Sequence, residues 1–260
     1  MKTVVTTAYR PTDATKRCAQ ETAQLLGLQV VERNKRPIYK LHEELAADII
    51  VCKKERLELY PVGQSEPFFF HPNSAAFRSK RPLENDPLVE VSGLGPGDAY
   101  LDCTLGMASD ALIASLVVGG TGKVVGCESD PVIAHVIREG LKNYQDMPKL
   151  HESMRRIQVV PQNAVDYLKG LDDDAFDVVY MDPMFTEQIA EASNFAPLRN
   201  NADHGQLTEE WVEEAKRVAR KSVVLKAHFR STDFEAFGFK RRVRPNTKFH
   251  FGVIQMNKTQ

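Results

Sequence analysis

The sequence predicts an α/β fold: a parallel sheet with helices on both faces, closed by an antiparallel hairpin and preceded by a small N-terminal α/β unit. Three observations carry this. From residue 99 onward, short β-branched runs alternate with amphipathic helical stripes, as expected when parallel strands are joined by helical crossovers. Three of the runs end in an acid, at Asp102, Glu128 and Asp182. The last segment breaks the alternation with two strand-like runs separated by a short turn.

In chain order, residues 3–8 read as a strand and residues 14–26 as a helix that stops at Gly27. Strands follow near residues 28–32, 48–52, 57–61 and 67–70, which makes residues 1–70 the N-terminal unit. Between 71 and 98 Pro, Gly and Ser accumulate, and Arg78, Lys80 and Arg81 form a basic cluster, so this stretch is expected to be a connecting segment. The principal domain then spans residues 99–260. Its strands are expected at 99–102, 124–128, 157–160, 178–182 and 222–226, with helices at 108–118, from 131, at 164–169 and at 208–220. Asp130-Pro131 is a strong helix start, because the carboxylate caps free N–H groups and proline suits the first helical position. Thr208 has the same capping role, with Leu207 and Val212 as a hydrophobic staple and Arg217, Arg220 and Lys221 in the last turn. Residues 239–243 and 249–256 form the closing hairpin.

The chain has 260 residues, 42% hydrophobic and 27% charged, a composition that excludes disordered, collagen-like and disulfide-stapled classes. Its net charge of −1 argues against whole-surface binding of a polyanion. By segment the charge is uneven. Residues 101–215 hold 8 basic against 20 acidic side chains, a net of −12, whereas residues 216–260 hold 12 against 2, a net of +10. Lys240, Arg241, Arg242, Arg244 and Lys248 crowd the hairpin, so a directional site for RNA phosphates is expected if they share a face with Arg78, Lys80 and Arg81. Four cysteines without a CxxC pair and seven histidines without ligand spacing predict neither a disulfide framework nor a metal site. With no leader-like or membrane-spanning run, a cytoplasmic protein is expected.

The segment Asp102-Cys103-Thr104-Leu105-Gly106 lies where open α/β sheets bind ligands, just beyond a strand's carboxyl end. One glycine is too few for a dinucleotide fingerprint, and no P-loop is present. A ligand without phosphates fits better, with its ribose hydroxyls on Glu128 and a cationic amino acid moiety near Asp102. That combination suggests S-adenosylmethionine. Asp182-Pro183-Met184-Phe185 ends the fourth strand of the principal domain. An exocyclic base amine is a poor nucleophile because its lone pair is delocalised, and acceptors on its two N–H groups localise that pair. Asp182 and the Pro183 carbonyl can be those acceptors, and Phe185 can stack on the base.

Together these motifs resemble the class I S-adenosylmethionine-dependent methyltransferases, and within them the small-subunit ribosomal RNA (guanine-N2)-methyltransferase family and its relatives. The resemblance covers about residues 70 to 254. It implies a Rossmann-like seven-stranded sheet with an antiparallel last strand. It further implies cofactor contacts at Asp102, Thr104, Gly106, Asp110, Glu128, Ser129 and Asp182. Asn163 stands where such enzymes often place an adenine contact, or else caps a helix. Asp182, Pro183 and Phe185 become the catalytic motif, and Arg78, Lys80, Arg81, Lys226, Arg241, Arg242 and Arg244 the RNA contacts. The first loop lacks two of the usual glycines, Met184 replaces a second proline, and residues 1–69 show no clear match.

The expected reaction is methyl transfer to an exocyclic RNA amine, with guanine N2 of small-subunit ribosomal RNA as the leading target. Another amine, such as adenine N6 or a small molecule, and a non-catalytic cofactor- or RNA-binding module are the alternatives. Trp211 is expected in the core, and residues 186–206 as a lid over the base pocket.

Overall fold

The computed structural model describes residues 2–183 and 206–256. The N-terminal unit comprises β1 (Thr3–Thr7), α1 (Asp13–Leu26), β2 (Gln29–Val30), α2 (Ile38–Leu45), β3 (Asp48–Cys52) and β4 (Leu57–Tyr60). Its sheet has the order β2-β1-β3-β4, parallel except where β4 turns back on β3. Thr12 and Thr15 close a capping box at the start of α1, and Gly27 ends the helix in the left-handed region at φ 65°. The strand expected at 67–70 is reduced to one bridge between Leu59 and Phe68.

Residues 71–98 hold more structure than a connector. They form α3 (Asn73–Arg78), a 3-10 turn at Leu83–Asn85 and α4 (Pro87–Ser92). Ala75, Leu88, Val91 and Leu94 on them are buried.

The second sheet begins with β5 (Ala99–Asp102), α5 (Ser109–Val118), β6 (Lys123–Cys127) and α6 (Pro131–Asn143). It continues with α7 (His151–Arg156), β7 (Ile157–Val160), α8 (Ala164–Lys169) and β8 (Phe176–Met181). After the undescribed residues come α9 (Glu209–Val218), β9 (Ala219–His228), α10 (Asp233–Ala236), β10 (Lys240–Arg242) and β11 (Phe249–Gln255). The seven strands run β10-β11-β9-β8-β5-β6-β7. Strands β5 to β9 are parallel, and the last strand, β11, is antiparallel to both β9 and β10, as the resemblance implies.

Helix starts follow their sequence signals. Asp130 accepts from Val132 N at 2.8 Å and Ile133 N at 3.1 Å, and Thr208 accepts from Trp211 N at 3.2 Å. The helix expected to run to Arg220 ends at Val218 instead. Arg220 and Lys221 belong to β9, where they pair with Asp177 at 2.9 Å and Asp98 at 2.6 Å.

Alternation along the strands sends side chains to two cores. Tyr100, Tyr180 and Val224 join α5, α6 and the N-terminal unit, including Val5, Ile50, Phe68 and Phe70. Leu101, Val179 and Val223 join α8 and α9 on the other face, where Trp211 packs at the margin. The two units therefore share one core. Thr22 Oγ1 lies 3.2 Å from His135 Nε2, and Phe70 fills the space beside Gly140, where any side chain would overlap it.

Candidate functional site

Strand order reverses at β5, which has β6 on one side and β8 on the other, so the loops beyond β5 and β8 part and open a crevice. Asp102, at the end of β5, is 1% exposed. Its Oδ1 accepts from Thr104 N at 2.9 Å and from the Thr104 hydroxyl at 3.4 Å. Thr104 Oγ1 in turn accepts from Asp182 N at 2.8 Å, which clamps the two loops together. Burial, reinforced by the nearby Asp110, pushes the Asp102 carboxyl up to about 8.

Glu128 follows β6 and folds back toward the first loop. Its carboxylate receives N–H groups from Asp130, at 3.0 Å, and from Ser129 and Gly106. Gly106 has φ 46°, a conformation that glycine adopts without strain. Burial still pushes Glu128 up to about 7. The crevice thus holds two buried carboxyl groups, neither of which forms an ion pair with a cation among the described residues. A ligand with an ammonium, a sulfonium and a ribose diol suits such a pair. A phosphate would meet carboxylates and a loop with a single glycine.

Deeper in the crevice lies a continuous chain of charges. Arg78, at the end of α3, grips Asp86 with Nε at 2.9 Å and Nη2 at 2.8 Å, and its Nη1 reaches Asp110 Oδ1 at 2.6 Å. Asp110 Oδ2 accepts from the Tyr180 hydroxyl at 2.9 Å and from Lys226 Nζ at 3.2 Å. Lys226 Nζ ends the chain on Asp182 Oδ2 at 2.7 Å. Burial alone would raise Asp110, but Lys226 and Arg78 hold its carboxyl well below the usual range. Burial would lower Lys226, and Asp110 and Asp182 hold its ammonium above its ordinary value instead. Asp182 stays raised by burial despite Lys226, with Asp110 adding repulsion. Lys226 occupies one oxygen of Asp182, and Oδ1 has no hydrogen-bond partner among the described residues.

The structure thus brings Asp102, Thr104, Gly106, Asp110, Glu128, Asp182 and Lys226 into one crevice, with Ser129 beside Glu128 and Pro183 buried next to Asp182. Asn163 caps α8, with Oδ1 accepting from Val165 N at 2.9 Å. Phe185 and residues 186–205 of the lid expected over 186–206 lie outside the described residues. Three of these side chains are held by one another. Both oxygens of Asp110 accept from protein donors, Arg78 on one and Tyr180 and Lys226 on the other. Arg78 and Lys226 turn inward onto carboxylates.

The remaining basic residues lie nearer the surface. Lys80 and Arg81 are exposed. Arg241 pairs with Glu235 at 3.7 Å and donates to His250 Nδ1 at 3.0 Å, while Arg242 pairs with Glu90. Arg244 has its pKa lowered by burial and by the repulsion of Arg242 and Arg78, and the Arg242–Glu90 pair ties the hairpin to α4. Sequence reasoning missed Tyr180 and Asp86. Tyr180 stands two residues before Asp182 on a strand, and so on the same face. Asp86-Pro87 repeats the helix-start signature of Asp130-Pro131.

Among the described residues, no group of three or more His, Cys, Asp or Glu is placed to hold a metal ion, and no helix is long and apolar enough to cross a membrane. Residues 34–235 match the family described as "Putative SAM-dependent methyltransferase", so the likeness begins inside the N-terminal unit, where the sequence resemblance shows none. Protein YpiP of Bacillus subtilis (strain 168) is 45% identical over 97% of this chain and 99% of its own length. Ribosomal RNA small subunit methyltransferase J of Nitrosococcus oceani is 28% identical over 68% of this chain and 72% of its own. The SAM-dependent methyltransferase NGO1261 of Neisseria gonorrhoeae shares the fold, with a TM-score of 0.63 at 15% identity, over 98% of this chain and 97% of that one. With family match, fold and crevice in agreement, the chain belongs to the SAM-dependent methyltransferases, and S-adenosylmethionine is its cofactor.

Proposed function

We propose that this methyltransferase acts on an exocyclic base amine of RNA, guanine N2 of small-subunit ribosomal RNA. The observation that carries the reading is the state of Asp182, which is fixed through one oxygen by Lys226 and through its N–H by Thr104 while Oδ1 is left for a ligand. Relatives named ribosomal RNA small subunit methyltransferase J support the choice of RNA.

In this reading Asp102 receives the amino acid cation of the cofactor, Glu128 receives its ribose hydroxyls, and Gly106, Thr104 and Ser129 shape the surrounding loops. Asn163 lines the adenine end. The bound cofactor supplies an electrophilic methyl on a sulfonium. Asp182 Oδ1 and the Pro183 carbonyl accept the two N–H groups of the target amine, which localises its lone pair, and Phe185 stacks on the base. The nitrogen would gain the methyl as the carbon–sulfur bond breaks, its electron pair staying on sulfur to leave a neutral thioether, and the nitrogen would lose a proton. Asp182, raised by burial above the ordinary carboxylate value, is placed to take that proton. Lys80, Arg81 and the hairpin arginines 241, 242 and 244 provide the basic approach for phosphates. Four free cysteines and an RNA substrate fit a reducing cytoplasm.

The test is Asp182→Ala. Calorimetry should show retained S-adenosylmethionine binding, while transfer to unmethylated small-subunit RNA is lost. Wild-type turnover by the variant would remove Asp182 from the reaction.

A further inference from the structure

The target base is one nucleotide of a longer chain, and the rim of the crevice carries features suited to its neighbours. Among the described residues only two phenylalanines are exposed, Phe77 at 62% and Phe229 at 39%. Each has an arginine against its ring. The Arg81 guanidinium is 5.8 Å from the Phe77 centroid, and that of Arg230 is 5.2 Å from the Phe229 centroid. The two rings stand on different elements, and each lies within three residues of a member of the charge chain.

Phe77 immediately precedes Arg78, whose guanidinium holds Asp110 at 2.6 Å. Phe229 follows Lys226 by three residues, just past the end of β9, and Lys226 holds Asp182 at 2.7 Å. An aromatic row links Phe229 back to the site. His228 lies 4.6 Å from Phe229 and meets Phe249 edge-on at 6.1 Å, and Phe249 lies 5.9 Å from Lys226 Nζ.

A large ring left in water beside a working crevice marks a surface that is covered in use. Two separate rings, each under a cation, do not form the continuous apolar patch of a protein interface. They match a partner that offers flat π-faces joined by negative charges. The C-terminal segment that carries Phe229 and Arg230 has the net charge of +10 noted above.

We propose that Phe77 with Arg81, and Phe229 with Arg230, are stacking platforms for unpaired bases flanking the target nucleotide in single-stranded RNA. This rests on the RNA reading of the proposed function. Each platform provides a face for a base and a cation for the adjoining phosphate, and together they keep the strand unstacked while the target base enters the crevice.

The test uses Phe77→Ala, Phe229→Ala and the corresponding tyrosine variants of the full chain. The probes are a fluorescein-labelled single-stranded RNA of roughly 15 nucleotides and unmethylated small-subunit RNA. Each alanine variant should weaken RNA binding by about 5- to 150-fold, the range set by loss of one stacked base. Each tyrosine variant should restore it, and calorimetric affinity for S-adenosylmethionine should not move. If the wild-type protein methylates small-subunit RNA and the alanine variants bind RNA equally well, the platforms are wrong and the function stands. Variants that bind naked RNA normally but fail on the assembled particle would assign the rings to a protein surface and overturn the proposal. A wild-type protein that binds no RNA would overturn both readings.

Discussion

Replacing Lys226 by methionine removes the cation between Asp182 and Asp110 while keeping the bulk of the side chain. The ammonium is 2.7 Å from Asp182 Oδ2, and the two side chains are 22% and 24% exposed. At that distance, an effective dielectric constant of about 40 to 80, suited to a partly solvated crevice, gives an attraction of roughly 1.5–3 kcal/mol. A cation that close favours the ionised form of Asp182 and offsets part of the rise that burial imposes. The sign follows from the chemistry. Asp182 must be ionised to accept the amine, activity falls as pH drops through its pKa, and removing Lys226 raises that pKa further. The acid limb of single-turnover methyl transfer, followed with labelled S-adenosylmethionine from about pH 5.5 to about pH 9, should therefore move upward. Lys226→Arg should keep most of the charge effect and return the limb toward its wild-type position. An unshifted limb in Lys226→Met would refute the claim that Lys226 sets the state of Asp182.

Asp102 and Glu128 hold protons up to about pH 8 and about pH 7, and a bound cation and hydroxyl donors favour their charged forms. Affinity for S-adenosylmethionine should therefore rise with pH through that window, with proton release visible as a buffer-dependent calorimetric enthalpy; a flat profile would count against both contacts. For the same two groups in the free protein, the folded state binds more protons than the unfolded chain above about pH 4, so their contribution to stability should fall as pH rises toward 8. Arg78→Ala strands Asp86 and Asp110, whose side chains are 6% and 9% exposed, and should cost about 3–5 kcal/mol in urea unfolding. Lys80→Ala and Arg81→Ala should leave stability within about 0.5 kcal/mol and weaken RNA binding only. Gly140→Ala forces a methyl into Phe70 and should cost about 1–3 kcal/mol, loosening the contact between the N-terminal unit and α6.

Features fixed by local chemistry were the most legible in the sequence. The strand-like runs at 48–52, 99–102 and 157–160 are the observed β3, β5 and β7, and α6 starts where Asp130-Pro131 says it should. The acids at strand ends led to the crevice because strand ends converge there in any parallel sheet. Short or unmarked elements were not legible. Helices α3 and α4 have six residues each, fewer than two turns, so no apolar period can show, and α2 has no side-chain cap to announce it. Charged residues misled for a related reason. Arg220 and Lys221 read as a helix end because their strand partners, Asp177 and Asp98, are distant in sequence. The ion pairs of Arg78 and Lys226 with Asp110 were not legible for the same cause, since they depend on three elements meeting. A cation's destination is tertiary information, whereas a cap or an alternation is local.

The most direct test of the central claim is nucleoside mass spectrometry of small-subunit RNA from a strain lacking this gene, before and after incubation with the purified protein and S-adenosylmethionine. The account predicts that N2-methylguanosine appears with the wild-type protein and not with Asp182→Ala. N6-methyladenosine, no new methylated nucleoside, or equal product from the Asp182→Ala protein would contradict it.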